Sequence, residues 1–119
     1  MFGEKFNLEN ESEILKIKSP KKSVTKGPFC IVFKDASKNE RWAIVALEWE
    51  NKPRLGMRWF WSSNGFPARG KYALWMVIPP KLAITILNGL TVNNDFKSNF
   101  FQFLNSEISG NQLKGEVSL

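Results

Sequence analysis

Histidine is absent from this chain, and cysteine occurs once, at Cys30. Without histidine, the Ser-His-Asp and Cys-His catalytic arrangements and imidazole metal ligation all fall away. A single cysteine excludes an intramolecular disulfide, which fits a reducing, intracellular setting. Its place in the apolar run Phe29 to Phe33 marks it as a small buried hydrophobe. No run of apolar residues approaches membrane-spanning length, and the opening Met-Phe-Gly-Glu-Lys lacks the character of a signal peptide. Acidic residues are in the minority, 11 against 17 Lys and Arg, so the net charge is +6. These features predict a cytoplasmic or nuclear protein with no membrane segment that attracts polyanions. Glu48 and Glu50 share one parity, but no third carboxylate is placed beside them, so neither a metal site, a cofactor nor an enzymatic activity is expected.

What is present is one domain's worth of chain, 119 residues of which 43% are hydrophobic. Residues 1–27, with four glutamates followed by five lysines and Pro20, read as a flexible charged arm. From Pro28 the pattern turns to strands: Phe29 to Phe33, Arg41 to Glu50, Arg54 to Trp61 and Lys71 to Ile78. Turn residues separate them at Asp35–Asn39, Asn51–Pro53 and Ser62–Pro67. Pro79-Pro80 suits the first turn of a helix, and Leu82, Ala83, Ile86, Leu87 and Leu90 then give an apolar stripe. A second helical stretch is expected from an Asp95 cap to Leu104, with Phe96, Phe100 and Phe103 near one face. The fold class is α+β, a four-stranded antiparallel curved sheet followed by a C-terminal helix. The domain spans 28–104, and residues 105–119 form a polar tail. One helix over one sheet leaves apolar surface to spare, which predicts a dimer formed through Leu82, Ile86, Leu87 and Leu90.

The strand region is dense in aromatic residues interleaved with cations. Trp42, Trp49, Trp59, Phe60, Trp61, Phe66, Tyr72 and Trp75 alternate with Arg41, Lys52, Arg54, Arg58, Arg69 and Lys71. Single-strand recognition needs this mixture, because unstacked bases lie on aromatic faces while Lys and Arg neutralise the phosphates. A tryptophan in a strand is more often core, so parity is used to sort them. Along the third strand Leu55, Met57, Trp59 and Trp61 share the expected core side, and Arg54, Arg58 and Phe60 the expected basic side. The second strand is apolar on both sides, which predicts a helix over one and a binding or pairing surface on the other.

Met57-Arg58-Trp59-Phe60-Trp61 resembles the hydrophobic-Arg-x-aromatic-Trp strand end of the positive cofactor 4 family, the single-strand-binding transcriptional coactivators and their bacterial and viral relatives. Pro67-Ala68-Arg69 and Tyr72-Ala73-Leu74 are similar to that family's Pro-x-Arg turn and apolar-x-Leu strand, and Trp49 and Lys52 fall where it has an aromatic and a lysine. The likeness covers Arg41 to about Leu90. It implies a β-β-β-β-α unit, dimerised through its helices, whose curved sheets make grooves for single strands. It implies base stacking by Trp49 and Trp61 and backbone contacts from Lys52, Arg58, Arg69 and Lys71. The chain departs from the family in having Gly70 before Lys71, a longer fourth strand, and no long serine-rich N-terminal region.

The expectation is a homodimeric single-stranded DNA-binding protein of little sequence specificity, acting in replication, recombination or transcription in a bacterium or virus-infected cell. The segment beyond Asp95 is a candidate dock for a protein partner. Two alternatives stay open: an RNA-binding protein, since nothing here reads a 2′-hydroxyl, and a protein-interaction module whose tryptophans fill a dimer core.

Overall fold

A computed structural model describes residues 10–61, 64–91 and 93–113. Strands β1 (Val24–Asp35), β2 (Trp42–Trp49) and β3 (Lys52–Trp59) follow one another as antiparallel neighbours. Two two-residue strands, β4 (Ala68–Arg69) and β5 (Tyr72–Ala73), then form a separate hairpin before β6 (Met76–Ile78) returns beside β3. The main sheet therefore runs β1-β2-β3-β6, entirely antiparallel. The expected fourth strand is broken in two, because residues 64–74 leave the sheet as an excursion. Ser62 and Ser63, part of the expected turn, lie outside the described residues.

The β2–β3 connection is tighter than the expected Asn51–Pro53 turn. Trp49 pairs with Lys52, leaving Glu50 (φ 52°) and Asn51 (φ 68°) as a two-residue loop with both residues left-handed. That geometry matches the twist of a hairpin, and Asn tolerates it better than Glu does. The turn is tied back by Glu50 N donating to Ser23 O at 2.7 Å and Asn51 N to Thr25 Oγ1 at 2.9 Å. Glu50 thus sits in the turn and makes no strand-borne pair with Glu48.

Helix α1 (Glu11–Leu15) precedes the sheet, and α2 (Pro80–Gly89) and α3 (Asn94–Leu104) follow it. Pro80 occupies the first turn of α2 as expected. The cap of α3 is Asn93, not Asp95: its side chain accepts from Phe96 N at 2.8 Å. α2 and α3 bring Ala83, Leu87, Phe96, Phe100 and Phe103 onto Cys30, Ile44, Ala46, Leu55 and Ile78 on one side of the sheet. The phenylalanines that looked surplus for one chain are thus covered within it. Leu87 is fully buried and Ile86 and Leu90 half-buried against the same core, so of the four residues expected to meet a second copy only Leu82 stands open.

The opposite side of the sheet is covered as well. Ile14, Ile17 and Val24 from the N-terminal segment pack with Ile31, Ala43, Val45, Leu47, Phe60 and Trp75. Residues 10–27 are therefore part of the folded body, not a free arm, while residues 1–9 lie outside the described residues. The second apolar side of β2, expected as a binding or pairing surface, is a second core. The C-terminal end also belongs to the body. A 3₁₀ turn at Gly110–Gln112 buries Gly110, and Leu113 packs on the helix-side core. The expected polar tail is thus folded through Leu113, with 114–119 outside the described residues.

Candidate nucleic-acid interface

Arg58 and Phe60 lie inside the protein, which corrects the sequence expectation for both. Arg58 is 0% exposed. Its guanidinium donates to Pro67 O at 3.1 Å, to Leu74 O at 2.9 Å and to Asn64 O. A planar fork of N–H groups is suited to several carbonyls at once, and these three close the two ends of the 64–74 excursion. Phe60, also buried, has the guanidinium carbon 4.9 Å from its ring centroid. Burial pushes the arginine's pKa down to about 10, so it remains a cation at neutral pH. A basic residue at a solvent-side parity reads as a phosphate contact, but here Trp75 and the excursion roof over that part of β3.

An aromatic ladder lies at the end of the sheet where β2 begins and β3 finishes. Trp42 and Trp59 are directly paired across these strands. Phe33 sits 5.7 Å from Trp42, Trp61 stacks on Trp59 at 5.3 Å and 29°, and Phe66 lies 6.3 Å from Trp59. Glu40 holds two of the indoles. Its carbonyl accepts from Trp61 Nε1 at 3.0 Å and its carboxylate from Trp42 Nε1 at 3.2 Å. Backbone bonds in both directions between Trp59 and Phe66, 2.8 and 3.2 Å, fix the start of the excursion against β3. The outer members are accessible: Trp61 is 44% exposed and Phe66 55%.

The excursion also carries exposed cations. β4 and β5 pair through Ala68–Ala73 and Arg69–Tyr72, Leu74 N donates to Pro67 O at 3.0 Å, and Asn64 Nδ2 reaches Gly70 O at 3.0 Å. Gly65 has φ 67°, and a side chain there would overlap the Trp59 carbonyl and the Arg58 guanidinium, so only glycine fits. Arg69, Lys71 and Tyr72 are all exposed, and the Lys71 ammonium stands 5.7 Å from the Tyr72 ring centroid. Trp61, Phe66, Arg69, Lys71 and Tyr72 thus fall within twelve residues of sequence, on and beside one hairpin.

Trp49, Lys52 and Arg54 belong to the other end of the sheet. Seven residue steps separate Trp49 from Trp42 along β2, on the order of 23 Å of extended chain. Trp49 is half-buried against the N-terminal core, Lys52 is exposed at the hairpin end, and Arg54 Nη1 donates to Pro53 O at 2.8 Å. The eight sequence-predicted residues therefore divide into three groups: Trp61, Arg69 and Lys71 exposed on the ladder and the hairpin after it, Trp49, Lys52 and Arg54 at the other end of the sheet, and Arg58 and Phe60 inside. Phe66 and Tyr72 were passed over as site residues. Their signal was position, since each flanks the Pro67–Gly70 turn, where an aromatic ring has little core to enter. Of the tryptophans, Trp75 is buried, Trp42, Trp49 and Trp59 are half-buried, and Trp61 is exposed.

Among the described residues no three His, Cys, Asp or Glu side chains converge as metal ligands, and no helix is long and apolar enough to cross a membrane. No family model, curated protein or solved structure matches the chain.

Proposed function

We propose that this protein binds single-stranded nucleic acid, DNA by the family likeness, through the aromatic ladder and the hairpin that follows it. The observation that carries the reading is the pair of exposed rings at the outer end of the ladder, Trp61 and Phe66, both against Trp59, with the exposed cations Arg69 and Lys71 in the hairpin that follows Phe66. Exposed large rings cost free energy in a protein that keeps them in water, and bases are natural partners for them, at about 1–3 kcal/mol per stacked base. The cations supply the sequence-independent part of the affinity by releasing counterions from phosphate. The reading places the strand at the sheet's end and not in an open groove along it, because both faces of the sheet are covered by the chain itself. A role in replication, recombination or transcription follows from the resemblance, as does pairing with a second copy through α2. Leu82 and Ile84 stand open on that helix and support such pairing.

The test is tryptophan fluorescence during titration with a single-stranded oligonucleotide of about 20 bases, beside the matching duplex, with the mass read by sedimentation. Quenching by the single strand, reversed by salt and weakened at least tenfold in Trp61→Ala/Phe66→Ala, is the expected result. Equal quenching by the duplex, or none by either, rejects the interface. Competition between oligo-dT and oligo-U of equal length separates DNA from RNA preference.

A further inference from the structure

A cleft of about 280 Å³ opens between the N-terminal segment and the hairpin strand Tyr72–Ala73. One wall is residues 16–19 and the other is Lys71 to Ala73. The two walls are tied together by Trp75, whose backbone N donates to Ser19 O at 2.8 Å and whose buried indole Nε1 donates to Ile17 O at 2.7 Å. The cleft is therefore held by the fold and does not depend on side chains drifting together.

Its chemistry is cationic and aromatic. Lys16, Lys18 and Lys71 line it against a single carboxylate, Glu13. The Lys16 ammonium lies 3.8 Å from Glu13 with both side chains well exposed, an ion pair that water already screens and that a phosphate can displace. Lys18 Nζ donates to Gly27 O at 3.3 Å, which uses one of its three donors. Tyr72 is 59% exposed, with the Lys71 ammonium near its ring. Cations around an open ring offer the same pairing of phosphate and base contacts as the ladder.

We propose that this cleft holds a further nucleotide of the bound strand, with its base against Tyr72 and its phosphate among Lys16, Lys18 and Lys71. The proposal rests on the ladder and hairpin being a single-strand interface, and it adds a direction. The strand leaves Phe66, crosses Arg69 and enters the cleft beside the N-terminal segment.

Tyr72 is the one tyrosine of the chain, so full-length protein labelled with 3-fluorotyrosine gives a single fluorine resonance. Titration with oligo-dT of about 12 nucleotides should shift that line along with the tryptophan quenching, within the site sizes usual for such surfaces. Lys16→Ala/Lys18→Ala, checked for wild-type circular dichroism, should weaken the shift about tenfold at low salt. A fluorine line that stays still while tryptophan is quenched overturns the cleft and leaves the ladder standing. Silence in both signals removes the interface and the cleft with it. A shift with thymidine monophosphate but not with the oligonucleotide overturns the strand's path.

Discussion

Replacing Arg58 separates two roles that this residue type often confuses. If the guanidinium closes the excursion, its loss is a loss of folding stability; if it faces phosphate, its loss is one of affinity. The side chain satisfies three backbone carbonyls, those of Asn64, Pro67 and Leu74, from a position with no exposure to water. Hydrogen bonds from a charged donor contribute about 1.5–3 kcal/mol each in mutational series, and neighbouring bonds do not simply add. Arg58→Ala also empties the space against Phe60, so a loss of about 4 kcal/mol is expected, a large share of the 5–15 kcal/mol or so that holds a domain together. For a chain of this size that corresponds to a fall of roughly 15 °C in Tm. Arg58→Lys keeps the charge but offers one ammonium in place of a planar fork, and a loss of about 2–3 kcal/mol is expected. Urea unfolding followed by circular dichroism reads both losses. Oligonucleotide titration across a salt series, under conditions where each variant is folded, reads the affinity. An alanine variant within about 0.5 kcal/mol of wild type in stability, with its salt slope shallower by about 0.7, would mean that Arg58 contacts a phosphate and that the carbonyl assignment is wrong.

Cys30 is walled into the helix-side core, and burial, then the charge of Glu11, pushes its thiol up to about 12. Thiol labelling at pH 8 should therefore run at least a thousandfold slower in native protein than in urea-unfolded protein; rapid native labelling would show that this core is open. A methyl group placed on Gly110 would overlap the Phe29 ring, beside Cys30 on β1. Gly110→Ala should cost about 1–3 kcal/mol in chemical denaturation, and a neutral result would detach the C-terminal turn from the body.

Much of the architecture was legible in local pattern. The first three strands and the two helices exist in the expected order, because short antiparallel connections leave each element's own period as the main constraint, although β1 begins five residues early at Val24 and β3 lies two residues earlier, at Lys52–Trp59. The double apolar parity of β2 predicted a helix over one side, which is there, and a binding or pairing surface on the other, which is instead a second core. What the pattern withheld was the identity of the second cover. Ile14, Ile17 and Val24 are spread among lysines and glutamates with no single period, so the segment reads as a solvated tail until Trp75 is seen to hold it. The same blindness displaced the site. Arg58 and Phe60 alternate as a solvent-facing pair would, and only the long-range return of residues 64–75 encloses them. Arg69 and Lys71 flank a Gly-centred turn that keeps them outside whatever the rest of the chain does.

The bond from Trp75 to Ile17 spans 58 positions of sequence. On a ribosome adding about 5–20 residues each second, the N-terminal segment emerges roughly 3–12 s before the indole that anchors it. During that interval the N-terminal segment lacks its anchor, and the β1–β2–β3 meander lacks Trp75 on one side and α2 and α3 on the other. This stitch is therefore made backwards, early-synthesised residues waiting for a late one, and anything that occupies the nascent segment in those seconds competes with its closure.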